Sequence, residues 1–191
     1  MEYKLEEANI RHLHYAESIC EMMAEAAKKR GTGIAKRTPE YLQEKMIQGD
    51  AIIALSKNHV VGFCYIESWQ SQEYVAHSGL IVNEDFRKTG LARKIKSAVF
   101  ELSRKAFPNA KIFGITTSPA VMKINTDLGY KPVAFSNLTS DSKFWDGCKS
   151  CTNYDILERT SKKMCLCTGM LCLPSTNQKK KNEKEKSITS I

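Results

Sequence analysis

A single α/β (α+β) domain, built on one mixed sheet with helices on both faces, is the fold the sequence predicts, and three observations carry that prediction. The chain has 191 residues, 42% of them hydrophobic, enough to bury one sizeable core and too few for two ordinary domains. Strand-like and helix-like stretches alternate along most of its length, the order expected of helices laid on a sheet. Outside that alternation stands a polar, lysine-rich C-terminus, S-T-N-Q-K-K-K-N-E-K-E-K-S, with almost no apolar residues to offset its ordering entropy.

The elements follow in order. Glu2 to Ala8 reads as a first strand. Ile10, Leu13, Ile19, Met22, Met23 and Ala26 recur at helical spacing, with Lys28, Lys29 and Arg30 in the last turn and Gly31 as the stop. After the flexible R-G-T-G-I-A-K-R stretch, Thr38 before Pro39 reads as an N-cap with proline in the first turn. That starts a shorter helix through Met46, ended by Gly49. A-I-I-A-L-S, the Lys57-Asn58 turn and V-V-G-F-C-Y-I-E-S-W predict an antiparallel hairpin, and E-Y-V-A-H-S-G-L-I-V a further strand. Leu91, Ile95, Ala98, Val99 and Leu102 mark a long helix that ends before Pro108. The strand K-I-F-G-I-T-T, a helix from about Pro119 to Leu128 and the strand Y-K-P-V-A-F come next. A last strand is expected over Asn153 to Leu157. The expected organisation is residues 1–160 as the catalytic domain, 161–174 as a cysteine-containing extension and 175–191 as a disordered lysine-rich tail.

Charge narrows the function classes. Of the formal +8, the tail carries +3 from five lysines against two glutamates, leaving +5 for the rest. That excess suits an anionic ligand as well as it suits nucleic acid, and solvated charge explains it equally. No run of about eighteen apolar residues occurs, and the N-terminus lacks the charged-then-apolar order of a signal peptide. The expectation is a cytoplasmic protein with no membrane partner, whose seven cysteines stay as thiols or bind metal.

The most informative local pattern is Arg87-Lys88-Thr89-Gly90-Leu91-Ala92, between a hydrophobic strand and a long helix. A helix N-terminus offers unpaired backbone N–H groups and a glycine lets the chain approach a ligand closely, so the site suits a diphosphate. Arg87, Lys88 and Arg93 add cationic contacts. The alternative is a helix-entry turn with solvated basic neighbours. This R-x-x-G-x-A pattern, after a strand ending L-I-V-N-E-D-F, resembles the acetyl-coenzyme A motif of the GNAT N-acetyltransferases, and D-L-G-Y-K-P-V resembles their helix end and returning strand. The resemblance runs from about Tyr3 to Tyr154. It implies a GNAT-like sheet whose two neighbouring strands splay apart to hold the pantetheine arm of acetyl- or another acyl-coenzyme A. It places the oxyanion donor at a backbone N–H around Leu80, with Ile81, Val82, Thr89, Leu91, Ala92 and Asn125 also in the coenzyme site.

G-I-A-K-R-T-P-E-Y-L, I-T-T-S and G-Y-K-P-V followed by L-T-S-D-S-K are similar, more narrowly, to the acyltransferase domain of bacterial N-acetylglutamate synthase. By that similarity Arg37 and Lys143 bind the carboxylates of an acidic amino acid, and the activity belongs to arginine biosynthesis; an exposed loop arginine is the alternative for Arg37. The sequence departs from the family at two positions. The glutamate expected on the strand before the loop falls at Ala76, with His77 beside it, and the family's general-acid tyrosine falls at Asn125. His77 is therefore the candidate base, its ordinary pKa of about 6.5 suiting proton uptake near neutrality. Strand alternation sets His77 and Ala76 on opposite faces, so a histidine packed in the sheet is the alternative. Thr117 or Ser118 could protonate the leaving sulfur or hold substrate, or simply cap a helix.

Cys148-x-x-Cys151 and Cys165-x-Cys167 have the ligand number of a structural zinc site; unrelated thiols are the competing reading. The leading expectation is an N-acyltransferase for a small-molecule amine, above all the α-amine of glutamate. Behind it stand a GNAT enzyme for a polyamine, a drug or a protein lysine, and a zinc-ribbon module for nucleic acid, which explains only the residues after Cys148. The number of subunits is open, a homodimer among the candidates.

Overall fold

The computed structural model describes residues 2–30 and 35–174. The Gly31 helix stop, part of the R-G-T-G-I-A-K-R stretch and the 175–191 tail lie outside the described residues. Seven strands form one sheet: β1 (Lys4–Glu7), β2 (Ala51–Ser56), β3 (His59–Trp69), β4 (Tyr74–Val82), β5 (Lys111–Thr116), β6 (Lys131–Val133) and β7 (Thr168–Cys172). Their spatial order is β1-β2-β3-β4-β5-β7-β6. All neighbours are antiparallel except β4 and β5, so the sheet is mixed. The β2–β3 hairpin turns at Lys57 (φ 46°) and Asn58 (φ 63°), both left-handed, as a two-residue turn that follows the strand twist requires.

The helices are α1 (Ala16–Arg30), α2 (Pro39–Ile47), α3 (Leu91–Ala106), α4 (Pro119–Asp127), α5 (Ser142–Asp146) and α6 (Tyr154–Arg159). The first expected helix opens differently, as a 3-10 segment over Ile10–Tyr15 whose start is closed by a reciprocal Asn9/His12 capping box. On the front of the sheet, Ile19, Met23, Leu42 and Met46 from α1 and α2 bury against Ile53, Phe63, Tyr65 and Ile81. On the back, Leu91, Ile95 and Val99 of α3, one turn apart, are fully buried against Val61, Cys64, Ile66 and Val75. Farther along the front, Phe144, Trp145 and Leu157 from α5 and α6 cover Tyr74, Ala76 and Phe113.

Two expectations need correction. The segment Asn153 to Leu157 is not a strand: Tyr154–Arg159 is the short helix α6, which buries Leu157 alone. The last strand comes instead from the cysteine-containing extension. β7 inserts between β5 and the edge strand β6, pairing Ile112 with Cys172 on one side and Lys131 with Leu171 on the other. The sheet therefore continues past residue 160. Pro132, which has no N–H to give a ladder, sits on the edge strand where that costs least.

Candidate active site

Parallel pairing between β4 and β5 covers only Tyr74/Lys111, Val75/Ile112 and Ala76/Phe113. Beyond Ala76 the two strands part, and β4 runs on from His77 to Val82 without β5 beside it. Across the sheet, β4 carries a bulge, because three steps from Ser78 to Ile81 face two steps from Tyr65 to Phe63. Gly79 takes the bulged position at φ +65°. A Cβ there would lie 2.4 Å from the Tyr65 ring and 2.9 Å from Met23 Cε, so only glycine fits. The gap opens into a cavity of about 540 Å³, walled at the front by residues of α1, α2, α5 and α6 and reaching through to His77, Lys96 and Asn125 at the back.

At the front apex of the gap stands a carboxylate that the sequence did not single out. Glu67 on β3 pairs in register with Ala76, so the two project from the same face. It is 6% exposed. Tyr41 Oη donates to its Oε1, and Ser78 Oγ donates to its Oε2 at 2.6 Å. Burial first, then the Glu67 charge and hydrogen bond, push the Tyr41 hydroxyl far above its ordinary range. Arg37 lies beside this group: Nε donates to Tyr65 Oη at 2.6 Å, and the guanidinium lies 5.4 Å from the Tyr41 ring centroid. Burial works against the Arg37 charge, and Tyr65 and Glu67 more than restore it. Among the described residues its Nη2 has no hydrogen-bond partner, and the exposed Lys143 lines the same cavity. The far wall is aromatic and thiol-rich, with Trp69, Phe144, Trp145, Cys148 and Cys167.

His77 points the other way, as strand alternation requires. Its ring sits on the back face between α3 and Tyr130. Ser103 Oγ donates to the Val99 carbonyl at 2.8 Å, so it accepts from His77 Nε2–H, also at 2.8 Å. That leaves Nδ1 as the acceptor shared by Lys96 Nζ at 3.0 Å and Tyr130 Oη at 2.9 Å. Burial, Lys96 and Arg104 hold the imidazole pKa well below its usual value, so the ring is neutral. Lys96 is 3% exposed, and burial lowers its pKa to about 8. Asn125, 2% exposed, gives Nδ2 to Met170 Sδ at 3.6 Å, and among the described residues its Oδ1 has no hydrogen-bond partner. Lys96 and Asn125 both line the cavity.

The Arg87–Arg93 loop leads into α3. Lys88 (φ 64°) and Gly90 (φ 87°) are left-handed, and among the described residues no side chain caps the helix start, which leaves its first N–H groups without a side-chain acceptor. Arg87 is paired with Glu84 at 3.1 Å and Arg93 with Asp127 at 2.7 Å; Thr89 Oγ1 donates to the Phe86 carbonyl. Leu91, Ile81 and Val82 bury their side chains in the core, leaving Leu80 to line the gap. Thr117 lines the cavity, whereas Ser118 caps α4 by accepting from the Val121 N–H.

The expected zinc site is not supported. Among the described residues no group of three or more His, Cys, Asp or Glu is arranged to hold a metal ion. Cys148, Cys165 and Cys167 pack against the aromatic cluster under α5 and α6 instead. Burial first, and then neighbouring thiols, raise Cys148 to about 11 and Cys167 to about 12. Nor is any helix long and apolar enough to cross a membrane, among the described residues.

No protein-family model and no curated protein sequence matches the chain. Solved structures do. N-acetylglutamate synthase from Neisseria gonorrhoeae, complexed with coenzyme A and N-acetyl-glutamate, superposes with a TM-score of 0.65 at 11% identity over 92% of this chain. The match spans 36% of that protein, so the chain corresponds to about a third of its length. A Mycobacterium tuberculosis protein solved with coenzyme A gives 0.64 at 14% identity, covering 89% of this chain and 98% of that one. A GNAT superfamily phosphinothricin acetyltransferase from Sinorhizobium meliloti, with acetyl-coenzyme A, gives 0.59 at 15% identity over 92% and 90% of the two chains. Similarity at this level speaks for architecture. The chain has the fold of the GNAT acetyltransferases.

Proposed function

We propose that the protein is an acyl-coenzyme A dependent N-acyltransferase whose acceptor is the α-amine of a small acidic amino acid, glutamate first among the candidates. One observation carries this reading: a buried carboxylate and a cation-bearing cavity meet where β4 and β5 part. The diphosphate would sit on the Arg87–Ala92 loop, with Lys88 and Arg93 beside it, and the pantetheine arm would run down the gap past Leu80. An amide N–H of that arm would satisfy the orphaned Asn125 Oδ1. The thioester, at the end of the arm away from the diphosphate, then reaches the apex between Ala76 and Glu67.

Acylation needs a neutral amine and a donor for the developing oxyanion. Glu67 takes the base role that His77 was expected to fill: both stand on the cavity, but the ring nitrogens of His77 are already engaged by Ser103, Lys96 and Tyr130 at its back, and its basicity is held low. Backbone N–H groups at the bulge of β4 supply the oxyanion donor. Arg37 and Lys143 hold the acceptor's carboxylates, and Thr117 lines the route between. A second reading rests on the Trp69, Phe144 and Trp145 wall, which favours an acidic acceptor with a larger apolar group.

The test is thiol release from acetyl- and succinyl-coenzyme A against a panel of acidic, apolar and basic amines, with the product mass recorded. Turnover with glutamate and aspartate supports the first reading. Turnover confined to bulky acidic amines moves the substrate to the second. A protein that releases no thiol with any amine is not the enzyme described.

A further inference from the structure

The back of the gap holds a group that neither coenzyme binding nor the front-face base uses. Lys96 comes from the second turn of α3, behind the sheet, and its side chain is the part that can reach the cavity. It is a buried amine hydrogen-bonded to a neutral imidazole, and no carboxylate pairs with it among the described residues. A buried ammonium without a counter-ion is costly unless something anionic visits it. His77, whose ring it touches, is the first β4 residue beyond the last β4–β5 pair. Through that contact Lys96 stands at the closed end of the gap, on the opposite face from Glu67.

We infer that Lys96 is the general acid of the reaction, protonating the sulfur of coenzyme A as the carbon–sulfur bond breaks. This rests on the acyl-transfer reading above. The acceptor nitrogen forms its bond to the acyl carbon and passes a proton to Glu67. The carbon–sulfur pair leaves on sulfur, which takes the proton from Lys96. Both side chains then re-equilibrate with solvent, and the net product is amide plus thiol. His77 is a positioning residue: by giving Nε2–H to Ser103 it leaves Nδ1 as an acceptor, which Lys96 shares with Tyr130 and which holds the amine at the gap.

The groups facing Lys96 are consistent with this. From β3 comes the Cys64 thiol, itself raised to about 11, from β4 His77, from the turn before β6 the Tyr130 hydroxyl, and from α3 Arg104 acts on His77. None is a carboxylate that would fix the lysine in its charged form. With its pKa lowered to about 8, Lys96 can both give and regain a proton near neutrality.

The deciding experiment compares wild type with Lys96→Met, which keeps the volume and removes the charge. Expected are a fall in kcat of roughly a hundredfold, little change in the dissociation constant for coenzyme A, and loss of the alkaline limb that the wild-type kcat shows above pH of about 8. A variant with wild-type kcat and the same alkaline limb overturns the inference and leaves acyl transfer standing. A wild type that binds coenzyme A but never turns over removes the acyl-transfer reading, and the Lys96 role with it. A further readout needs no variant. Thiolate absorbance of coenzyme A bound to wild type should titrate about one unit or more below that of free coenzyme A; an unshifted titration overturns the inference.

Discussion

Glu67 reaches the apex through register alone: β3 pairs Glu67 with Ala76 and Tyr65 with Ser78 in unbroken register, two residues apart on the same face, and the bulge comes only beyond them. The segment E-S-W carries no motif, which is why the sequence pointed one strand away, to His77. Alternation at His77 was readable, by contrast, and its ring indeed faces α3. Glu67→Gln should lower kcat by two orders of magnitude or more while coenzyme A binding stays within twofold, read by steady-state kinetics and calorimetry. Arg37→Met should raise KM for acidic acceptors tenfold or more and leave KM for the acyl donor unchanged. Lys96 also makes a stability statement. Its folded pKa of about 8 lies below the ordinary 10.5, so between these values the unfolded chain binds more protons and stability rises with pH. At pH 7 the full penalty applies, about 3 kcal/mol by the size of the shift. Urea unfolding should find Lys96→Met more stable than wild type at pH 7 and lacking the wild-type rise toward pH 10.5.

At the scale of elements, the loop-to-α3 entry was the most legible part of the molecule, because R-x-x-G-x-A joins a strand to a helix with a periodic apolar face, and Leu91, Ile95 and Val99 bury as that period requires. α6 was not, since Tyr154 and Ile156 alternate like a strand over too few residues for a helical period to declare itself. β7 was hidden for another reason: it follows C-L-C, which drew attention to cysteine spacing and away from T-G-M-L-C. The bulge of β4 has its own test. Gly79→Ala must either accept a left-handed backbone and push Tyr65 aside or straighten the strand, and should destabilise the fold by about 2 kcal/mol or more. A thermal melt measures the first effect. A raised KM for acyl-coenzyme A would show that the N–H groups of β4 have been re-aimed.

For the whole molecule, the sheet decides where the domain can be cut. β7 is an interior strand: it holds β5 on one side and β6 on the other, and Gly169 packs closely enough that a Cβ would lie 3.1 Å from the Val133 carbonyl. A chain ending at residue 160 should therefore lack a cooperative thermal transition, monitored by circular dichroism, whereas one retaining residues through Pro174 keeps the complete sheet. The alternation of strands and helices showed one mixed sheet in advance; which segment closed it depended on contacts between residues more than fifty positions apart, which periodicity does not encode. That separation also sets a clock on the ribosome. Until Thr168–Cys172 has emerged, β5 presents an open row of amide and carbonyl groups on an apolar strand, a template for pairing with another nascent chain. The wall of the acceptor cavity carrying Cys165 and Cys167 arrives in the same stretch, so protection from aggregation and completion of the pocket come in one step.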